Sequence, residues 1–274
     1  MTTGAATMND PTPFWPALGT AASVDWCEPN YVHSLLVAEW WNTLSSLTMV
    51  VLGTQGALRV RRAAGVERRF LVCFLLVAVV GVGSTAFHGT MLKVAQAMDE
   101  LPMVYGGLAY AYCLLNRSHD DPLRARRWRW GLALYGAFFT AAYFRLEAYF
   151  TFFVVTYAVL MAGLILGGLR VAWGPTGSPQ HRRLLALAAG PFVSAFLFFW
   201  LPEHVLFACD HTIQSLELHA WWHLGAGLGA YVGTEYLLWD RLQHLDRAPV
   251  WRRWLGLPAV MPGTDASLEE APAR

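Results

Sequence analysis

Seven apolar runs, several reaching the roughly 20 residues that cross a bilayer as helix, are cut apart by short segments whose charge alternates. They lie at about 34–58, 70–88, 98–115, 130–144, 148–169, 184–207 and 219–239. Between them no polar stretch is long enough for a sizeable soluble domain. Only 14% of residues are charged, against about 25% in soluble globular chains. The expectation is an all-α polytopic membrane protein, a seven-transmembrane helix bundle. Met1–Pro13 lacks a basic start followed by an apolar core, so no cleavable signal peptide is expected.

The loops set the orientation. Alternate segments (59–69, 117–129, 170–183 and the tail after 240) hold eighteen of the twenty basic residues, and the opposite side holds Lys93 and Arg145. Lys and Arg in short loops mark the cytosolic side, which places the N-terminus outside and the C-terminus in the cytosol. Three parts follow: an extracytoplasmic segment (1–32), the helical domain (33–240) and a polar, Pro-punctuated cytosolic tail (241–274), expected to be disordered after about Gly263. Nineteen of the twenty basic residues are Arg. With abundant Ala, Gly and Leu this suits a GC-rich genome, hence a bacterial inner membrane with the outer face toward the periplasm, or an ER/Golgi-type membrane in a eukaryote. No internal repeat, phosphate loop or dinucleotide fingerprint is present, and no nucleic-acid partner is expected.

This topology gathers the unusual residues. His219 and His223 open span seven, four residues apart and so about 40° apart around a helix. Ser84 and His88 close span two with the same spacing, and Asp99 opens span three. All five fall at one membrane face, where ionisable groups are costly and point to function. Three histidines suit zinc with an open position for water. Asp99 suits a general base then acid, and Ser84 an oxyanion donor or a group that orients the water. Each has a bland alternative: an interfacial histidine, a serine back-bonded to its own helix, or an Asp99–Glu100 pair at a helix start. His33, His119, His181 and His244 are expected at the surface; His204 and His211 are weaker ligand candidates in the outer loop.

A second cluster precedes span one: Asp25-Trp26-Cys27-Glu28-Pro29-Asn30, then Glu39. Its oxygen donors suit a hard cation such as calcium, but there is no EF-hand loop, and spacing alone favours a solvated turn with an N-cap. Cys27 and Cys209 both lie outside, where an oxidising compartment suits a disulfide. Cys73 and Cys113, within spans, are expected to be small buried apolar residues.

Taken together, Asp25-Trp-Cys-Glu-Pro-Asn-Tyr, Ala38-Glu39-Trp-Trp-Asn-Thr, Gly83-Ser84 with Phe87-His88, Asp99-Glu-Leu-Pro-Met and His219-Ala-Trp-Trp-His223 before Gly-Leu-Gly resemble the alkaline ceramidase family. The resemblance covers about residues 14–240. The family is part of a wider group of seven-helix membrane hydrolases that includes adiponectin-type receptors. It implies zinc on His88, His219 and His223, catalytic Ser84 and Asp99, and hydrolysis of the ceramide amide to a sphingoid base and a free fatty acid. It also implies calcium on Asp25, the Trp26 carbonyl, Glu28, Asn30 and Glu39, and a Cys27–Cys209 disulfide. That replaces the turn reading of the acidic cluster. Pro29 departs from the acidic or polar residue often found there, and the 209–219 loop is short beside the eukaryotic enzymes, which bears on substrate access and chain length.

The expected function is therefore a zinc-dependent intramembrane amide hydrolase with a membrane lipid substrate. The alternatives are a seven-helix receptor or transporter with a structural metal, or a hydrolase of another lipid amide or ester. An intact Ser84/Asp99 pair speaks against the receptor, since structural zinc needs no proton shuttle.

Overall fold

Seven α-helices and a β-hairpin make up the computed structural model, which describes residues 14–118, 121–206, 209 and 214–263. The helices are α1 Trp40–Arg62, α2 Arg68–Thr90, α3 Lys93–Leu115, α4 Pro122–Arg145, α5 Tyr149–Trp173, α6 Pro179–Ala195 and α7 Leu218–His244. π-helical turns at Phe196–Trp200 and Pro202–Leu206 prolong α6. His119, His211 and the tail after Gly263 lie outside the described residues.

Capping chemistry places two of the starts. The Asp121 side chain accepts from the Leu123 amide at 2.9 Å, and Pro122 takes the first helical position. The Arg-rich segment expected as a loop to Arg129 is therefore largely the first turns of α4. Ser178 and His181 form a reciprocal capping box at the start of α6. His181, expected at the surface, is buried, with Nε2 3.1 Å from Asp240 Oδ1.

The helix α2 packs between α1 and α3, α7 lies against α6 and α1, and α5 links α3 to α6, with α4 outside on α3 and α5. Glycines let two of these contacts close. A Cβ on Gly53 would lie 2.3 Å from the Ala78 amide nitrogen of α2, and one on Gly83 would lie 2.0 Å from the Met98 carbonyl oxygen of α3. One apolar core joins Phe70, Phe74, Leu184, Tyr231 and Leu238. A second joins Val104, Phe139, Tyr143 and Phe153.

Among the described residues, three helices are long and apolar enough to cross a membrane: α2, α5 and the continuous stretch Pro179–Leu206. Buried polar residues dilute the others: Asn42, Ser46 and Arg59 in α1, Gln96, Asp99 and Glu100 in α3, and two histidines with Glu235 and Asp240 in α7. In α4 exposed arginines do so. The outward faces are apolar, with Leu134, Phe138, Val159 and Phe198 largely exposed.

The tail after Asp240 is more structured than its composition suggests. Strands β1 Val250–Trp254 and β2 Leu257–Met261 pair antiparallel around Leu255-Gly256, both at positive φ (47° and 84°), the backbone pattern of a tight hairpin turn. The hairpin closes on one end of the bundle, where α1 finishes. There the Val260 carbonyl accepts from Arg59 Nη1 at 2.6 Å, and its amide donates to Glu235 Oε2 at 2.7 Å.

Candidate metal and catalytic site

Two helix ends meet at the opposite end of the bundle. Met91 turns into the left-handed region (φ 53°) and stops α2 just after His88. The Glu39 amide, preceding α1, donates to the His88 carbonyl at 2.9 Å. His219 and His223 lie in the first turns of α7, their ring centroids 4.5 Å apart. The His88 ring is 5.0 Å from one and 4.8 Å from the other. All three rings are buried, and one nitrogen from each lies within 4.8 Å of the other two.

Hydrogen bonding shows which nitrogens are available. His88 Nδ1 is bonded to the Glu39 carboxylate, leaving Nε2 buried with no partner. His223 Nδ1 lies 2.8 Å from Ser45 Oγ. That hydroxyl already donates to the Asn42 carbonyl at 3.1 Å, so it accepts from the imidazole, and Nε2 is left as the lone-pair nitrogen. A buried, unpartnered ring nitrogen facing two others is costly unless something binds it. Three neutral imidazoles with an open side are the donor set of a catalytic zinc, and the residues present fit that ion.

Ser84 and Asp99 border the same space. Thr85 back-bonds to the Gly81 carbonyl at 2.7 Å. Ser84 Oγ instead accepts from Ser46 Oγ at 2.9 Å and lies 3.4 Å from His223 Nε2. Asp99 is no cap, because α3 begins at Lys93, six residues earlier. It is buried and lines a cavity of about 390 Å³ together with Ser84, His219 and His223. Backbone contact between Gly83 and Met98–Asp99 sets that level. Glu100, its neighbour, accepts from Gln96 and from the Tyr143 hydroxyl, each at 2.7 Å.

The cavity continues inward between α2, α3, α5, α6 and α7 past Tyr110 to Leu237, walled almost entirely by apolar side chains. His219 to Leu237 along α7 corresponds to about 27 Å at 1.5 Å per residue. A polar cluster thus caps one end of a bilayer-length apolar channel.

The acidic cluster occupies the same corner. Glu28 accepts from the Trp41 and Asn42 amides at 2.7 and 2.9 Å, so it does cap α1. Glu39 accepts from the Trp26 amide at 3.0 Å, and Asn30 Nδ2 donates to Asp25 at 2.9 and 3.1 Å. Burial pushes the Glu28 carboxyl above its ordinary range, the two amides pull it back, and the Glu39 charge adds to the rise. No Lys or Arg precedes Arg59 in the chain. The oxygens suit calcium in kind. Among the described residues, the three histidines are the group of three or more His, Cys, Asp or Glu side chains close enough to share one ion. Cys27 and Cys209 form a disulfide, and Cys73 and Cys113 are free and buried.

Several residues at this site had no signal in spacing. Ser45 and Ser46 meet His223 only through the packing of α1 on α7. Trp26, expected to contribute its carbonyl, stacks its ring on His219 with centroids 3.6 Å apart. Glu203 is buried beside His219; its one sequence signal was a carboxylate inside an apolar span. His204 is half-buried on the end of α6 and outside the triad.

A family model described as Ceramidase matches residues 19–261. The chain is 32% identical over 255 residues to alkaline ceramidase 3 of Mus musculus, covering 88% of this chain and 92% of that one. It is 28% identical to alkaline ceramidase YPC1 of Saccharomyces cerevisiae, covering 91% and 89%. It is also 28% identical to an alkaline ceramidase of Arabidopsis thaliana, covering 90% and 94%.

Proposed function

Because the chain belongs to the ceramidase family, we propose that this hydrolase is a zinc-dependent intramembrane amidase that cleaves ceramide to a sphingoid base and a fatty acid. One observation carries the reading: a buried three-histidine cluster with an unpartnered ring nitrogen, at the polar end of a long apolar cavity. His88, His219 and His223 would hold the ion. When bound, zinc supplies Lewis acidity, making water acidic and polarising a carbonyl.

The chain's own residues do the rest. Asp99 takes a proton from the attacking water and returns it to the amide nitrogen as the C–N bond breaks. Ser84 Oγ donates to the oxygen that develops negative charge. The apolar walls take the lipid chains and exclude bulk water. Calcium on Asp25, the Trp26 carbonyl, Glu28, Asn30 and Glu39 would brace the corner that holds His88, since Glu39 belongs to both groups.

In this reading the bundle spans the membrane seven times, with the N-terminus outside and the C-terminus cytosolic. The site then faces the periplasm of a bacterial inner membrane. The eighteen-to-two division of basic residues supports the orientation. Incubating the purified protein with a panel of N-acyl lipids and identifying released fatty acids by mass spectrometry tests the substrate. Ceramides are expected to be cleaved fastest; no release from any ceramide would overturn the assignment.

A further inference from the structure

The end of α6 leaves α-helical geometry just where it passes the histidines. Phe196–Trp200 and Pro202–Leu206 are π-helical, a form that turns side chains out of register and recurs at functional sites. Here it brings Glu203 inward. Glu203 is 2% exposed while Phe198, Val205 and Leu206 nearby are exposed. A carboxylate buried in an apolar span needs partners.

Glu203 has one clear partner. Oε1 accepts from the Cys27 amide at 3.1 Å, and Cys27 is tied by its disulfide to Cys209 beyond the end of α6. The other oxygen, Oε2, is buried with no hydrogen-bond partner. It lies 3.8 Å from His219 Nδ1, which is also buried and unpartnered. One is an acceptor and the other, in the Nδ1–H tautomer, a donor. Trp26 stacked on the imidazole face leaves the ring free to move in its own plane. The other two histidines already show the finished arrangement, Glu39 on His88 Nδ1 and Ser45 on His223 Nδ1.

We propose that Glu203 is the positioning residue of His219, holding the proton on Nδ1 so that Nε2 faces the ion. The disulfide, through the Cys27 amide, fixes the carboxylate in turn. This rests on the three-histidine zinc reading. Outer partners of this kind set ligand orientation and basicity, and their loss typically costs about 10- to 100-fold in metal affinity.

The test measures zinc affinity in the purified full chain by competition with a chromophoric chelator, beside the melting temperature of the metal-free protein. Glu203→Ala should weaken zinc binding about 10- to 100-fold with little change in the metal-free melting temperature. Glu203→Gln keeps an acceptor oxygen and should recover most, but not all, of that loss. Wild-type affinity in a folded Glu203→Ala protein would overturn the proposal. So would a Glu203→Ala chain that does not fold beside a Glu203→Gln chain that binds zinc as the wild type does. A wild-type chain that takes up no zinc would remove the underlying metal reading instead.

Discussion

Arg59 and Glu235 at one end of the bundle are as deeply buried as His88, His219 and His223 at the other, yet the two sets are finished differently. At the Arg59 end most of the buried polar groups pair with one another. Arg59 pairs with Glu235, and each also holds one side of Val260 in the hairpin. Arg117 reaches both Asp240 oxygens at 2.7 and 2.6 Å, His181 adds a third contact, and Arg241 bonds Glu67 at 2.7 Å. At the histidine end His88 and His223 are oriented from behind by Glu39 and Ser45, but His88 Nε2 is left buried without a partner, facing the other two rings, which line the cavity. Closed buried polarity holds elements together; open buried polarity is a place for a ligand.

Substitutions separate the two ends. Asp99→Asn leaves the three imidazoles intact, so zinc content should stay near one per chain while turnover falls by about 10²- to 10⁴-fold; metal analysis beside fatty-acid release checks it, and a fully active variant would remove the proton-transfer role. At the closed end, Arg59→Met strands the Glu235 carboxylate and should cost about 3–5 kcal/mol of stability. Pairing it with Glu235→Leu should restore much of that, as read by denaturation in detergent, with zinc affinity unchanged in every folded variant.

Gly83→Ala should act between these extremes. The added Cβ meets the Met98 carbonyl, which no rotamer change relieves, so a stability loss of about 1–3 kcal/mol is expected. A fall in kcat should accompany it as Asp99 moves away from Ser84. The smallest effect belongs to the acidic corner. Calcium at about 100 times its Kd would add about 2.7 kcal/mol, so chelation should lower the melting temperature by a few degrees. If chelation and Asp25→Ala both leave melting and activity unchanged, Asp25–Asn30 is only the turn that caps α1.

Much of the histidine site was legible because its signals are local. Four-residue spacings at Ser84/His88 and His219/His223 report helical faces, and the loop charges bring the ends of spans two, three and seven to one level. What stayed hidden depends on pairings through space. Nothing near Ser45 announces His223, which is 178 residues away. Glu203 points inward only because α6 ends in π-helical turns. His181 looks like a surface residue until Asp240, 59 residues on, supplies its partner. The hairpin was obscured by exposed arginines on β1 and by Pro258 in β2, while its anchors, Arg59 and Glu235, lie in distant helices.

In the proposed function the open histidine cluster carries hydrolysis through zinc. Stripping the purified wild-type chain with a chelator and titrating zinc back, while following fatty-acid release from ceramide, tests it most directly. Turnover should vanish on stripping and return in proportion to zinc up to one ion per chain, and His219→Ala should neither bind the ion nor recover. Full turnover in protein shown to be free of zinc would contradict the account.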